Sequence, residues 1–429
     1  MADTARRLKG LVEQLLGAPL PVRVRAWDGS EAGPPEAPAL VVRNRRALRR
    51  ILWKPGELGL VRAWIAGDLG IDGDLYTALD LLAGLLWDRG EDARGLAEAV
   101  RDPEVRAAVR GLARMAGPLP PPPPPVEEVR RARHLHTRRS DKRAISHHYD
   151  VGNDFYEIVL GPSMVYSCAY WDTPDGTLED AQRDKLELVC RKLSLKPGQR
   201  LLDVGCGWGS MAVHAAREHG VEVVGVTLSQ EQAAYARKRV AEEGLADRVE
   251  IRVQDYRDVT DGPFDAISSI GMAEHVGAER YLDYARGLYA LLKPGGRLLN
   301  HQIARPPRRD ESSYAVDPFI DAYVFPDGEL APIGTTVTQL ERAGFEVRDV
   351  ESLREHYALT LRCWGANLEA QWVRARRLTG PGRARVWRLY MAASALAFER
   401  NGIGVNQVLA VRTPQPGTSG MPLRARTWN

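Results

Sequence analysis

The chain has 429 residues, too many for a single hydrophobic core, so its length predicts two or three domains. Hydrophobic residues make up 44% and charged residues 27%, and the net charge of +3 neither indicates nor excludes an anionic partner. Its four cysteines form no zinc-type cluster along the sequence, so no metal site is expected. No apolar run reaches the roughly 20 residues that span a bilayer. The N-terminus does not resemble a signal peptide, so we expect a cytoplasmic or peripheral protein with reduced thiols.

The N-terminal region predicts a mixed α/β domain. Helical apolar spacing covers Thr4–Leu16, Leu60–Ala66 and Leu75–Trp87. Val22–Trp27 alternates like a strand, and Leu40–Val42 reads as a second short strand. This region contains no catalytic constellation.

A stiff spacer separates this region from the rest. Pro118 and Pro120–Pro125 form a polyproline tract, and the basic run Arg130–Arg143 follows it. The prediction is an N-terminal domain of residues 1–115, a linker of residues 116–143 and a second domain of residues 144–429.

The second domain alternates between strands and helices. This alternation is typical of a doubly wound parallel sheet that binds ligands at the carboxyl ends of its strands. The predicted strands are Arg200–Val204, Val221–Val226, Val249–Val253, Phe264–Ser269 and Leu298–His301. The tail, roughly Tyr357–Arg400, is predicted to be helical.

A glycine-rich loop follows the first of these strands. Gly205, Gly207 and Gly209 allow close approach of the backbone to a ligand, and Asp203 precedes them. The spacing G-x-G-x-G is similar to the loop of S-adenosylmethionine-dependent methyltransferases and differs from the G-x-G-x-x-G of dinucleotide-binding folds. The alternative is a tight strand-to-helix turn without a ligand.

Polar groups follow the other strands at the same edge. Thr227 ends the second strand, where an adenosine ribose would lie, and Gln232 follows on the next helix. Asp255 follows the third strand, within reach of an adenine amino group, and Ile270 ends the fourth. Aromatic faces would suit a sulfonium cation, and the candidates are Tyr149, Tyr166 and Trp208. Each of these rings could equally serve plain packing.

The order and spacing of motifs across Ile145–Val411 resemble the cyclopropane fatty acid synthase and mycolic acid cyclopropane synthase family. The segments that carry the resemblance are His147–Asp154, Met164–Trp171, Gly205–Gly209, Gln254–Asp258, Gly271–Gly277, Val316–Pro318, Tyr323–Pro326 and His356–Tyr357.

The resemblance implies a seven-stranded class I methyltransferase sheet with helices covering an acyl-chain tunnel, beside the smaller N-terminal α/β domain. It also implies a bicarbonate ion as general base, next to S-adenosylmethionine. The implied bicarbonate ligands are Cys168, Glu274, His301, the backbone of Ile303, and Tyr357. The implied cofactor contacts are Tyr149, Tyr166, Ser167, Gly205, Gly207, Thr227, Gln232, Asp255 and Ile270. Asn300 and Gln302 depart from the leucine and threonine that usually flank the family's H-x-I element.

The implied reaction is methyl transfer to the cis double bond of an unsaturated fatty acyl chain in membrane phospholipid, through a carbocation. Pro21–Pro34 looks like the actinobacterial branch that makes 10-methylene chains on the way to 10-methylstearic (tuberculostearic) acid. The alternative product is a cyclopropane ring. Rival classes are a nucleic-acid or small-molecule methyltransferase and a non-catalytic lipid-binding protein. Glu274 as the direct base is a further alternative.

The expected partners are a phospholipid bilayer surface, a second copy of the chain and a separate reductase acting on the product; no nucleic acid is expected. The run Arg130–Arg143 could bind anionic headgroups, and Thr4–Leu16 could lie in the membrane interface at its inner face. The alternatives are a solvated linker and a helix that caps its own domain.

Overall fold

The computed structural model describes residues 3–86, 102–129, 151–326, 328–424 and 426. These residues form two compact units. The first comprises the described residues within 1–130 together with 322–324 and 379–396, and the second comprises those within 131–321, 325–378 and 397–429. The chain therefore returns twice to the first unit, which a division by sequence position does not anticipate. Tyr149 and the basic run Arg130–Arg143 lie outside the described residues.

The first unit is built on a four-stranded sheet. Its strands lie in the order β2-β1-β3-β4, with β1 parallel to β3 and the other pairs antiparallel. The strands are β1 (Arg23–Arg25), β2 (Glu31–Ala32), β3 (Ala39–Val42) and β4 (Leu69–Asp72). The helices are α1 (Thr4–Leu16), α2 (Arg46–Trp53), α3 (Glu57–Ile65), α4 (Leu75–Leu86) and α5 (Pro103–Ala116). The mixed α/β prediction for this region is confirmed.

Helix α1 caps the core of its own unit. Ala5 and Leu8 are buried, and Leu11, Val12 and Leu16 pack against the same apolar cluster. An apolar face that is already covered has no surface left to insert into a bilayer. The structure therefore favours the capping interpretation of α1 over the interfacial one.

The second unit is built on a seven-stranded sheet. Its strands lie in the order β10-β11-β9-β8-β5-β6-β7, with β9, β8, β5, β6 and β7 parallel and β11 antiparallel to both neighbours. The strands are β5 (Arg200–Val204), β6 (Glu222–Thr227), β7 (Val249–Val253), β8 (Phe264–Ile270), β9 (Leu292–Ala304), β10 (Glu346–Ser352) and β11 (Gly404–Val411). The predicted seven-stranded methyltransferase sheet is confirmed.

Helices cover both faces of this sheet over two apolar clusters. The helices along this part of the chain are α6 (Asn153–Leu160), α7 (Leu178–Leu193), α8 (Ser210–His219), α9 (Gln230–Glu242), α10 (Ala273–Val276), α11 (Tyr281–Leu291), α12 (Ile333–Arg342), α13 (Arg354–Ala370) and α14 (Trp372–Thr379). Helix α15 (Pro381–Glu399) follows, and most of its residues belong to the first unit. Local chemistry fixes where two of them begin. Thr177 accepts a hydrogen bond from the amide of Asp180 at the start of α7, and Ser229 accepts one from the amide of Gln232 at the start of α9. Within the described ranges, no helix combines the length and apolar character needed to cross a membrane.

Candidate active site

A cavity opens at the carboxyl edge of the parallel strands, beside the glycine-rich loop. Gly205 and Gly207 line it, and both adopt positive φ angles, 76° and 54°. A Cβ at Gly205 would lie 2.4 Å from Sδ of Met272, whereas a Cβ at Gly207 would meet no atom within 4 Å. The loop therefore packs tightly on one side and leaves its backbone open to a ligand on the other.

Most of the residues predicted to contact the cofactor line this one cavity. Thr227 and Gln232 are buried there, and Oγ1 of Thr227 donates to Oε1 of Gln232 across 2.9 Å. The others that line it are Tyr166, Ser167 and Ile270. Thr227 and Ile270 converge with the glycine-rich loop because β8, β5 and β6 are neighbours, so that the carboxyl ends of these strands meet at one edge.

Asp255 does not line the cavity, although Gln254, Tyr256 and Arg257 do. Its carboxylate is held by Arg257, with Nε donating to Oδ1 across 2.8 Å and a second guanidinium nitrogen donating to Oδ2 across 2.6 Å. Oδ1 also accepts the backbone amide of Arg257. The structure thus gives Asp255 an observed task in shaping the loop, whereas its predicted contact with adenine stays a prediction.

Aromatic rings lie beside the cavity. The ring of Tyr166 lies 5.7 Å from that of Tyr156 and 5.4 Å from that of Trp364, and Trp208 lies 4.7 Å from Tyr156. Nε1 of Trp208 donates to Oδ1 of Asn153 across 2.8 Å, which fixes the indole. Such faces suit a sulfonium cation and exclude water.

Two ionisable side chains that the sequence analysis did not select also line the cavity. Lys185 is 1% exposed, and its Nζ donates to Oγ of Ser167 across 3.1 Å. Burial lowers the pKa of Lys185 to about 8 and raises the pKa of Asp203 to about 6. Oδ1 of Asp203 accepts from Oγ of Ser268 across 2.7 Å, but Oδ2 has no partner among the described residues.

A second set of polar residues lies on strand β9 and helix α10. Oε1 of Glu274 accepts the backbone amide of Ile303 across 2.8 Å, and Oε2 is enclosed without a partner among the residues described. Burial raises the pKa of Glu274 to about 7, although this amide opposes the shift. His301 lies two residues earlier on the same strand and therefore on the same face. Glu274 thus binds the backbone of β9 two residues beyond His301.

The orientation of His301 is set from the neighbouring strand. Gln407 of β11 lies opposite His301 in the antiparallel pair, and its Nε2 is 3.3 Å from Nδ1 of the histidine. Nζ of Lys192 donates to Oε1 of Gln407 across 2.8 Å. Since the ammonium can only donate, the amide oxygen of Gln407 faces Lys192 and the amide nitrogen donates to His301. Nδ1 is therefore the acceptor.

The proton of neutral His301 consequently lies on Nε2. Burial, together with the charges of Lys185 and Lys192, lowers the pKa of His301 to about 3, so the ring is neutral at physiological pH. Nε2 is buried and has no partner in the described part of the chain. The result is a fixed N–H donor of the kind that holds an anion.

Cys168 and Tyr357 meet at one carbonyl group. Sγ of Cys168 lies 3.2 Å from the carbonyl oxygen of Ala169 and 3.6 Å from that of Leu353, and the amide of Tyr357 donates to the same Leu353 oxygen across 3.1 Å. Burial raises the pKa of the Cys168 thiol, which therefore stays protonated. The Tyr357 ring packs 4.7 Å from Phe398. Cys168 is therefore a buried, neutral thiol and not a nucleophile.

Comparison with known proteins agrees with this geometry. The family described as mycolic acid cyclopropane synthetase matches residues 136–408, which is more than half of the chain. The chain belongs to this family. A probable fatty acid methyltransferase of Mycobacterium tuberculosis is 45% identical over 411 residues, covering 94% of each chain. A tuberculostearic acid methyltransferase of the same species is 32% identical over 412 residues, covering 92% of this chain and 89% of its own.

A solved structure gives the same fold with a cofactor product bound. Mycolic acid cyclopropane synthase in complex with S-adenosylhomocysteine (SAH) is 34% identical, with a TM-score of 0.59 over 63% of this chain and 97% of its own. Members of the cyclopropane synthetase family are S-adenosylmethionine-dependent fatty acid methyltransferases, and this chain is one. The sequence-based prediction of the family and of this general activity is confirmed.

Proposed function

We propose that the enzyme methylates the cis double bond of an unsaturated acyl chain in membrane phospholipid, with bicarbonate as the base, and makes a 10-methylene branch. One observation carries the proposal. Nε2–H of His301 and Oε2 of Glu274 are both buried without partners in the described structure, on one strand and the short helix bonded to it. A buried polar atom without a partner is costly, so each of these atoms is available to a ligand, and a small oxyanion is one that a histidine N–H and a protonated carboxyl group can both bind.

The protonation states support the same ligand. His301 donates from Nε2, as its hydrogen bonds require. Glu274 has a pKa of about 7 because it is buried, and an anion beside it raises that pKa further. The carboxyl group is then protonated at neutral pH and donates to the ion instead of repelling it. Bicarbonate, when bound, supplies a base that accepts the proton lost from the new methyl group.

The walls meet the other demands of the reaction. S-adenosylmethionine supplies the methyl group, and an alkene, a weak nucleophile, must be held about 3–3.5 Å from it in near-attack geometry. The resulting carbocation must be kept from water. Tyr156 and Trp364 are fully buried beside Tyr166, and the protonated thiol of Cys168 offers no competing anion.

The choice of product rests on the full-length match. The tuberculostearic acid methyltransferase aligns with 92% of this chain, whereas the cyclopropane synthase structure covers 63% of it. The likeness to the former therefore extends through the N-terminal unit. A 10-methylene product arises by hydride shift and proton loss, and a separate reductase would then give the methyl branch. Ring closure to a cyclopropane remains the alternative product from the same cation.

The N-terminal unit is proposed to bring the enzyme to the inner face of the membrane. Trp53 is 67% exposed at the end of α2 and is followed by the exposed Lys54. An exposed tryptophan beside a cation suits the interface between water and acyl chains. Homodimer formation through this unit, predicted from the family resemblance, belongs to the same proposal.

The membrane proposal is tested by sedimentation with anionic phospholipid vesicles. Trp53→Ala should lower the bound fraction severalfold, while Val373→Ala, which alters another exposed apolar residue, should not. Equal binding by both variants and the unaltered enzyme would refute a role for Trp53 in membrane binding.

The reaction is tested with purified enzyme, S-adenosylmethionine, bicarbonate and oleoyl-phospholipid vesicles, followed by mass spectrometry and proton NMR of the released chains. A one-carbon gain with vinylidene protons supports the methylene product, and upfield ring protons would identify a cyclopropane synthase. A rate that does not change when bicarbonate is removed and restored would refute the assigned base. No mass gain, with SAH binding confirmed, would refute the substrate.

A further inference from the structure

A separate polar cluster lies between helices α7 and α8. Glu187 and Cys190 project from α7, one turn apart, and His214 and His219 project from α8. Nε2 of His214 lies 3.2 Å from Oε2 of Glu187, and Nε2 of His219 lies 3.0 Å from the same oxygen. The sulfur of Cys190 and one nitrogen of each histidine all lie within 4.8 Å of one another.

We propose that these four side chains bind one zinc ion. Thiolate, imidazole and carboxylate groups are the ligands that Zn²⁺ prefers, in a tetrahedral arrangement of four. Bond lengths of about 2.0–2.3 Å place tetrahedral ligand atoms about 3.3–3.8 Å apart. The sulfur and the two histidine nitrogens lie at most 4.8 Å apart, and Oε2 of Glu187 lies 3.2 and 3.0 Å from the two histidines. Side-chain movements that draw these atoms together around an ion would close the site.

Charge and burial favour the same ion. Zn²⁺ with one thiolate, one carboxylate and two neutral imidazoles has no net charge, which suits a site whose sulfur is buried. Cys190 and His214 are buried, whereas His219 and Glu187 are partly exposed and give the ion a path of entry.

The position of the site gives it a structural task. Helix α7 carries Lys185 and Lys192, and α8 begins directly after the glycine-rich loop. A zinc ion shared between the two helices would fix the lysine-bearing helix against the loop that receives the cofactor. The ion would act as a clamp, since all four positions are occupied by protein and none is left for substrate.

The test uses untagged, full-length enzyme freed of metal by a chelator and titrated with Co²⁺, a spectroscopic stand-in for zinc. We expect one Co²⁺ per chain, tetrahedral ligand-field bands and a thiolate-to-cobalt charge-transfer band that Zn²⁺ abolishes. Cys190→Ser should lose the charge-transfer band, and His219→Asn should weaken Co²⁺ binding at least tenfold. Cys363→Ser, which alters a half-buried cysteine elsewhere, should change neither.

A second measurement follows thermal unfolding with and without Zn²⁺. An ion that binds only the folded state raises the melting temperature in proportion to the logarithm of its concentration. That increase should vanish in Cys190→Ser, and an unchanged far-ultraviolet circular dichroism spectrum would show that the variant is folded. Absence of the charge-transfer band, or its persistence in Cys190→Ser, would overturn the proposal. An equal thermal shift in both proteins would overturn it as well.

Discussion

The two units treat their buried carboxylates differently. In the N-terminal unit, Oδ1 of Asp68 accepts from Asn44 and Arg46, and Oδ2 accepts from Arg50. In the methyltransferase unit, one oxygen of Asp203 and one of Glu274 have no partner within the described residues. A carboxylate whose bonds are all made within the protein stabilises the fold, whereas one with a free buried oxygen is available to a ligand.

The pKa values follow the same division. Burial alone would raise the pKa of Glu128 in the N-terminal unit, but hydrogen bonds from Arg62 and Tyr323 outweigh it and lower that pKa. Neither Asp203 nor Glu274 accepts a hydrogen bond from a cation in the described structure, and burial raises their pKa values to about 6 and about 7, although the charge of Lys185 opposes the rise at Asp203. Folding thus leaves these two acids protonatable near neutrality, a property typical of binding and catalytic groups.

The largest effect is expected from replacing Asp68, the carboxylate that is fully hydrogen-bonded in the N-terminal unit. Asp68→Ala would leave Arg50, only 9% exposed, without its buried partner and should cost about 3–5 kcal/mol of unfolding free energy in the N-terminal unit. Hydrogen exchange of the β3 and β4 amides measures this loss locally. The affinity for SAH should not change. A comparable loss of that affinity would mean that the two units do not divide their tasks in this way.

Replacing Glu274, the carboxyl group with an unbonded oxygen in the second unit, should affect catalysis. Glu274→Ala is expected to lower kcat by about 10²- to 10³-fold, because the anion loses a fixed partner. Glu274→Gln, which keeps a neutral donor, should lose much less. SAH affinity serves as the control for folding in both variants. Equal losses in the two variants would indicate that Glu274 acts in its ionised form, as the direct base.

The pH dependence follows from the same group. The pKa of Glu274 is raised to about 7, so its protonated form predominates below that pH and is lost as the pH rises through it. We expect the apparent affinity for bicarbonate to fall above pH 7 in the unaltered enzyme. Steady-state kinetics at varied bicarbonate concentration measure this, and Glu274→Gln should show no such fall.

Lys185→Met is expected to weaken cofactor binding by about 10- to 100-fold. The buried ammonium faces the cofactor cavity beside Ser167 and supplies a positive charge for the carboxylate of the cofactor's amino acid part. Calorimetric titration with SAH measures the change. Lys192→Met alters a second buried lysine of the same helix and should leave the affinity intact. Equal losses would point to damage of α7 as a whole.

The smallest effect is expected from Gln407→Glu. A carboxylate there would accept from Nδ1–H and move the proton of His301 away from Nε2. The concentration of bicarbonate needed for half-maximal rate should rise by about tenfold, in line with the loss of one hydrogen bond. Nitrogen-15 NMR of the histidine side chains reports the tautomer directly. An unchanged tautomer would show that Gln407 does not set it.

Much of the catalytic sheet could be predicted from local pattern. Strand β5 is buried along most of its length, and β7 at the edge of the sheet alternates apolar and charged residues; the predicted bounds of both match those observed. The predicted strand at 298–301 is longer in the structure, because β9 begins at Leu292. Strand β11 was not predicted, although Val405–Val411 is buried throughout. Its position between β9 and β10 is a matter of long-range pairing, which periodicity does not reveal.

The site divides in the same way. The glycine loop and Thr227 follow strands, so their meeting at one edge follows from the topology. Lys185 and Gln407 could not be selected, because their roles depend on which distant side chains they face. The same holds for Cys190 and His214, which lie on different helices and show no metal-binding spacing along the chain.

Strand β11 has a consequence for the order in which the enzyme becomes active. Gln407, which orients His301, lies 106 positions further along the chain, on a strand that inserts between two strands already made. The cofactor cavity needs only residues up to 280 for its lining. A chain emerging from the ribosome would thus complete its cofactor pocket well before the proposed anion site, and methyl transfer that depends on that site would wait for the strand that comes last.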